Sequence, residues 1–236
     1  MSFFQRFFGV FLNPDSTFKS ISEKPTWRTE LVLLLIVLIF FSYLTTSYST
    51  KDRLVLLKDN VKLQERMGEE RFNQMIERLE NPSQKGRIIQ ALIMTPIGAI
   101  LGFLLSSGIL FGAGRIFSTQ GNFKQLFSSF LQAAYIDRIF GNIVRYFLII
   151  SKKSVFQTST GLPIFFPHLE VTSPLYTILS QFDFFQLWMF GVLGYGIAHV
   201  FKLPLKKSLF ISFGFWLVKS IIYSILGILA LKYYSG

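Results

Sequence analysis

Long apolar stretches bounded by charged residues dominate the pattern of this chain. An α-helix needs roughly 20 residues to cross about 30 Å of hydrocarbon, and five stretches approach or exceed that length: 31–50, 88–114, 126–150, 184–201 and 208–231. The third stretch carries Asp137, Arg138 and Arg145. Asp137 and Arg138 together cost about 5–7 kcal/mol on an insertion scale, so this helix should depend on its neighbours. The pattern predicts an all-α membrane protein, a bundle of five transmembrane helices.

The first 28 residues differ from the spans because their apolar residues alternate with polar ones at helical spacing. Gln5 and Arg6 are predicted to lie opposite an apolar stripe, which is formed by Phe3, Phe4, Phe7, Phe8, Phe11 and Leu12. This pattern is typical of an amphipathic helix lying in the membrane interface. Asn13 and Pro14 predict the cap and first turn of a second short helix. We therefore divide the chain into N-terminal interfacial helices, 1–28, and a five-span membrane domain, 29–236.

A charged insert follows the first span. Residues 51–87 hold 16 of the 37 Asp, Glu, Lys and Arg residues of the chain. Leucine, valine, phenylalanine and isoleucine keep helical spacing on both sides of Gly68. The insert is therefore predicted to be a helical hairpin or a helical extension of the first span, broken near Gly68 and ended by Asn81-Pro82.

Composition supports the membrane class and excludes several others. The chain is 51% hydrophobic and 16% charged, whereas a soluble domain has about 25% charged residues. It has no cysteine and two histidines, so neither a metal site nor another cofactor is expected. The net charge of +11 comes mostly from residues beside apolar segments, as expected for contact with anionic lipid rather than nucleic acid. Hydrolase, zinc-protease and phosphate-loop motifs are absent from the sequence, so no enzyme is predicted.

Basic residues beside the spans predict the orientation. With the N-terminus cytoplasmic, nine of them lie inside and three outside when the mixed-charge insert is left out; counting the insert reverses the result. Since most of the insert is distant from the span ends, we expect a multi-pass protein of the cell membrane, the cytoplasmic membrane in a prokaryote, with a cytoplasmic N-terminus.

Charges inside the spans are the candidate functional residues. Asp137 and Lys219 are predicted at similar depth, and an isolated charge there costs roughly 2.5–3.5 kcal/mol, so they are expected to pair. The pair is either a structural link between the third and fifth helices or an ion- or proton-coupled site. Arg138 is predicted to point away from Asp137 and to share a helix face with Arg145. Together with Asp183, these two arginines are the candidate residues of a lipid-headgroup or secondary polar site.

Small residues at regular spacing predict close helix packing. They lie in the second span at Gly98, Gly102, Ser106, Gly108 and Gly112, and in the fourth at Gly194 and Ala198. Either packing within the chain or a homo-oligomer or membrane-protein partner would explain this spacing.

Two segments resemble a known family. The first is Phe11-Leu12-Asn13-Pro14 with Phe18, Ile21, Pro25 and Trp27, and it resembles the opening of prokaryotic Yip (Ypt-interacting-protein) domain proteins. The second resembles that family's fourth span and comprises Pro174 to Leu179, Phe182-Asp183-Phe184-Phe185, Leu187-Trp188 and Gly196. The resemblance implies five spans, a cytoplasmic N-terminus and no enzymatic activity.

Eukaryotic members of the family bind Rab-type GTPases and act in vesicle traffic. Gly194-Tyr195 matches their Gly-Tyr motif, but Tyr135 to Gly141 does not reproduce their Asp-Leu-Tyr-Gly-Pro motif. Two functions therefore remain open. One is a non-enzymatic membrane protein that organises the bilayer or recruits partners, with membrane lipids as its contacts. The other is a small ion- or proton-coupled permease using Asp137 and Lys219.

Overall fold

The computed structural model describes residues 1–58, 60–81 and 83–235, the side chains of 62 and 233–235 excepted. These residues are almost entirely helical and contain no strand, only an isolated antiparallel bridge between Gly161 and Asp183. The predicted all-α class is confirmed.

Twelve α-helices follow one another along the described residues. They are α1 (Phe3–Leu12), α2 (Pro14–Glu23), α3 (Arg28–Lys58), α4 (Val61–Met67), α5 (Glu69–Glu80), α6 (Gln84–Ile89), α7 (Thr95–Phe117), α8 (Phe123–Tyr135), α9 (Asn142–Lys152), α10 (Pro174–Leu179), α11 (Phe184–Phe201) and α12 (Leu205–Ser235). Two π-helical turns, Gln90–Met94 and Ile136–Gly141, join α6 to α7 and α8 to α9, and Leu162–Phe165 forms a 3₁₀ turn.

Four helices in the described part of the chain are long and apolar enough to cross a membrane. They run over Arg28–Lys58, Gln84–Phe117, Phe184–Phe201 and Leu205–Lys232, and they contain the first, second, fourth and fifth predicted spans. The third predicted span, 126–150, is helical within α8, the second π turn and α9, but it is not among the four. Its three charged residues lower its hydropathy, and the described structure therefore supports four of the five predicted spans.

The chain divides into two compact units. The first comprises Met1–Leu38, Pro96–Asn142 and Phe184–Lys219. Its core forms where α11 packs against α2 and α8, with Phe18 of α2 fully buried. A Cβ at Gly196 of α11 would lie 2.9 Å from the Cβ of Ser129 and 3.1 Å from the Phe18 ring. Only glycine therefore permits this close approach of the helices.

The second unit comprises Ile39–Thr95, Ile143–Asp183 and Ser220–Gly236. It contains the charged insert, which continues α3 as far as Lys58 and then forms α4 and α5. The predicted break is confirmed: Gly68 separates the two helices with a φ of 80°, and Asn81 caps the end of α5. Pro82, the second residue of the predicted stop, lies outside the described residues.

The N-terminal helices form as predicted, but the predicted exposure of the polar side of α1 is wrong at Arg6. Asn13 caps α2 through its side chain, and Pro14 occupies the first helical position. Arg6, predicted to lie on the exposed polar side of α1, is only 5% exposed. It turns inward with Val10 because backbone carbonyls at the end of α2 accept hydrogen bonds from its guanidinium. Consequently, Phe4 and Phe8 point outward.

Candidate functional site

A polar network with buried charged groups lies in the first unit, where α1, α3 and α8 approach the segment after α2. Its cation is Arg6, whose Nη1 donates to the Lys24 carbonyl (3.0 Å) and to Thr26 Oγ1 (2.8 Å). The Thr26 hydroxyl in turn donates to Glu30 Oε1 at 2.6 Å. One hydroxyl therefore links a guanidinium to a carboxylate. We call Arg6, Thr26, Glu30 and Gln132 the Arg6–Glu30 network.

Gln132 connects the network to α8. Its Nε2 donates to Glu30 Oε1 at 2.8 Å, and both side chains are almost fully buried, Glu30 at 1% exposure and Gln132 at 0%. Both partners of Glu30 Oε1 are donors, an arrangement that suits a carboxylate oxygen. The hydrogen bonds thus tie the start of α3 to the last turn of α8.

Several atoms around this network have no hydrogen-bond partner within the described residues. They are Glu30 Oε2, Gln132 Oε1, the Tyr135 hydroxyl and Arg6 Nε, all buried. An unsatisfied buried polar atom costs about 1–3 kcal/mol, and native proteins retain such atoms mainly where a water, an ion or a function explains them. The arrangement can hold a proton or a small polar group beside a buried carboxylate.

Sequence reasoning missed this network. Glu30 directly precedes the first apolar stretch, so the hydropathy pattern marks it only as a polar boundary, and Gln132 is uncharged. The spacing of Thr26 and Glu30, four residues apart, is the only sequence signal for their contact. Arg6 and Gln132 are distant along the chain from Glu30, so only the tertiary structure brings them to it.

Asp137, the acidic member of the predicted intramembrane pair, lies in the π turn Ile136–Gly141 and is 2% exposed. Its Oδ2 is 3.3 Å from Nε of Arg138, which corrects the prediction that Arg138 points away from it. That prediction assumed α-helical register, whereas the wider π turn changes the direction of successive side chains.

Lys219, the predicted basic partner, lies on α12 in the same unit. Its Nζ donates to Gln186 Oε1 and lies 5.3 Å from the centroid of the Phe190 ring. A cation over an aromatic face is attracted by the ring quadrupole. These contacts link α12 to α11, and the pairing of Lys219 with Asp137 stays a prediction.

Arg145 and Asp183, from the predicted secondary polar site, meet in the second unit. Arg145 Nη2 lies 3.0 Å from Asp183 Oδ1, with side-chain exposures of 19% and 8%. Thr160 completes the cluster, since its hydroxyl accepts from Arg145 Nε at 3.1 Å and donates to Asp183 Oδ2. This ion pair joins α9 to the residue before α11, where Asp183 also forms the bridge to Gly161.

Four glycines of the second span make no close helix contact in the described structure, so packing within the chain stays a prediction for them. A Cβ built at Gly98, Gly102, Gly108 or Gly112 would meet no heavy atom within 4 Å in the described structure. The buried face of α7 instead contains Phe103, Ser107, Leu110 and Gly114. Ser106 and Ala198 are half-buried, whereas a Cβ at Gly194 would lie 2.5 Å from Leu209 Cδ2.

No group of three or more His, Cys, Asp or Glu residues that could hold a metal ion occurs in the described ranges. The several long apolar helices define a multi-pass integral membrane protein. The sequence model of the Yip1 domain matches residues 8–228, and the chain therefore belongs to the Yip1 domain family. The curated proteins and the solved structures compared with the chain gave no match.

Proposed function

We propose that this protein organises the bilayer it spans or recruits partners to it, without catalysing a reaction, and that α1 is the element that engages lipid. The observation that supports this proposal is that one side of α1 packs against the protein while the other side is exposed. Arg6 and Val10 fix one side to the rest of the first unit, while Phe4, Phe8 and Leu12 are 71%, 55% and 83% exposed on the other. Their spacing of four residues places them along one edge of the helix.

This exposed apolar edge requires a non-aqueous environment. Full burial of a large apolar side chain contributes about 1.5–3 kcal/mol, so three such side chains favour insertion of α1 into the headgroup boundary. The Arg28 guanidinium lies 5.5 Å from the Trp27 ring centroid just before the first span, and this residue pair is typical of the membrane interface. Membership of the Yip1 family supports a membrane role of this kind.

Site-specific fluorescence tests the placement of α1. The chain has no cysteine, so Phe8→Cys and the control Lys19→Cys on the exposed side of α2 can each carry one environment-sensitive dye without other changes. In vesicles containing anionic lipid, the dye at position 8 should be quenched by spin-labelled lipid, and the dye at position 19 by aqueous iodide. Equal iodide quenching at both positions would contradict the proposal.

The bilayer-organising role needs a separate readout. Proteoliposomes containing the Phe4→Ser/Phe8→Ser variant should differ from wild type in size and curvature by electron cryomicroscopy. The reason is that this variant loses most of the exposed apolar edge that inserts α1 into the bilayer. Unchanged vesicles would leave α1 as an anchor and argue against bilayer organisation.

The proposed orientation places the N-terminus in the cytoplasm and the protein in the cell membrane. The basic residues that flank the spans support it. A single cysteine at Ser2 should therefore react with a membrane-impermeant maleimide only after the cells are opened. Labelling of intact cells would reverse the orientation.

A proton- or ion-coupled permease is the second candidate, favoured by the burial of the Glu30 and Asp137 carboxylates at 1% and 2% exposure. A buried acid in a membrane protein marks a possible proton path. Proteoliposomes under a pH gradient should then show a flux that Asp137→Asn and Lys219→Leu each abolish. Wild-type vesicles as tight as protein-free ones would remove this candidate.

A further inference from the structure

The charged insert forms a half-open groove of about 800 Å³ within the second unit. Its walls are the last turns of α3, the α5 helix and Phe156, which lies in the loop after α9. This volume falls in the range of roughly 300–1,000 Å³ typical of small-molecule sites. None of the residues that line it belongs to α1, for which a lipid contact is proposed above.

Three guanidinium groups line this groove. Arg53 comes from α3, and Arg71 and Arg78 come from α5, seven residues apart and hence on one face of that helix. Of the described residues that line the groove, none is acidic. No carboxylate of the described chain forms an ion pair with any of the three, whereas Lys58 close by is paired with Glu80 at 2.6 Å. The groove therefore presents a positively charged rim.

The interior of the groove is apolar. Leu56 and Leu57 project from α3, and Met75 and Leu79 from α5. These four side chains occupy the same helical faces as the arginines, at spacings of three or four residues. Methionine adapts to irregular apolar partners because its side chain is unbranched. The site thus combines an anion-binding rim with an apolar surface that inorganic ions cannot use.

Phe156, the third wall, is held at both of its backbone polar groups. Asp52 Oδ2 accepts from the backbone N–H of Val155 (2.6 Å) and of Phe156 (3.0 Å). The hydroxyl of Tyr176 donates to the Phe156 carbonyl at 2.8 Å. Burial raises the pKa of the Tyr176 phenol above its ordinary value, and a phenol is protonated at neutral pH in any case. The aromatic wall is therefore preorganised before any ligand arrives, which favours binding.

We infer that this groove binds an anionic phospholipid, with the phosphate on Arg53, Arg71 and Arg78 and an acyl chain along the apolar interior. The planar guanidinium fork matches phosphate oxygens in paired, charge-assisted hydrogen bonds. The apolar interior then distinguishes a phosphate that carries an acyl chain from free phosphate.

The test uses the full chain in phosphatidylcholine nanodiscs, titrated with dye-labelled lysophosphatidylglycerol. Saturable binding is expected, with lysophosphatidylcholine of the same chain length binding at least tenfold more weakly, because its cationic choline opposes the arginines. Removing one charged hydrogen-bond partner should weaken lysophosphatidylglycerol binding about tenfold, in Arg71→Gln and in Arg78→Gln. The matched control is Lys85→Gln, which removes one exposed charge of the insert outside the groove.

Three results would overturn the inference. The first is equal affinity for the two lysolipids, and the second is wild-type affinity in both arginine variants. The third is competition by inorganic phosphate at the concentration at which the lysolipid binds, which would indicate an anion site without an acyl chain. Circular dichroism of each variant separates lost binding from lost folding, and Arg78→Lys provides a variant that keeps the charge but loses the fork. It should bind more weakly than wild type and more tightly than Arg78→Gln.

Discussion

Thr26→Val removes one hydroxyl from the Arg6–Glu30 network with little change in side-chain shape. That hydroxyl accepts from Arg6 Nη1 at 2.8 Å and donates to Glu30 Oε1 at 2.6 Å. The substitution therefore deletes the only hydrogen-bonded link that the structure shows between the guanidinium and the carboxylate. Both charged groups stay in place, each almost fully buried.

Two hydrogen bonds to charged groups contribute about 1.5–3 kcal/mol each, which sets an upper limit near 6 kcal/mol. The loss should be smaller, because Arg6 retains the Lys24 carbonyl and Glu30 retains Gln132. Thr26 itself is exposed, so water replaces part of what is removed. We expect Thr26→Val to lower the free energy of unfolding by about 2–4 kcal/mol.

Denaturant unfolding of the purified protein in detergent micelles measures this difference. The matched control is Thr29→Val, since Thr29 is exposed one turn away and should change stability by no more than about 0.5 kcal/mol. Adding Arg6→Met to each variant tests the connection: the Thr26 and Arg6 effects should be non-additive by more than about 0.5 kcal/mol. Equal losses for Thr26→Val and Thr29→Val, or strict additivity with Arg6→Met, would refute the proposed coupling.

Two further stability predictions use thermal unfolding of the same preparation. Gly121→Ala should destabilise the protein by about 2–4 kcal/mol, because Gly121 has a φ of 78° and an added Cβ would lie 2.5 Å from the Val200 carbonyl oxygen. The control Gly102→Ala has open space around the added Cβ and should be neutral or raise stability by up to about 1 kcal/mol. A similar loss of stability in both variants would contradict this prediction. Arg145→Met should cost about 3–5 kcal/mol by leaving the Asp183 carboxylate without its cation; adding Asp183→Asn should restore part of that loss, and no restoration would show that the pair does not act as a unit.

The positions of the helices are determined locally, and for that reason the sequence predicted them. A run of about 20 apolar residues satisfies its backbone only as a helix in hydrocarbon, which was sufficient to place the spans of α3, α7, α11 and α12. Local signals also located the ends of the shorter elements. Asn13 with Pro14 predicted the start of α2, and Gly68 predicted the break in the insert, because capping and positive φ depend on few neighbours.

The orientation of each helix was not determined locally. The buried stripe of α7 is Phe103, Ser107, Leu110 and Gly114, yet the helix is apolar on all sides, so periodicity could not distinguish this face from the one bearing Gly98 and Gly102. A small-residue pattern indicates where close approach is possible; only the neighbouring helices decide whether it occurs.

The polar contacts depended most on tertiary structure. Arg6 looked like the solvent side of an amphipathic helix, and only the carbonyls at the end of α2 together with Thr26 make its burial favourable. Glu30 and Gln132 are 102 positions apart along the chain, and no pattern of hydropathy connects them. The sequence by itself determined that the chain is helical and located the four segments that are long and apolar enough to cross a membrane, because the length of an apolar run can be read along the chain alone. Which charges meet was decided by the packing of helices distant in sequence, since an ion pair or hydrogen bond forms only within about 3–4 Å.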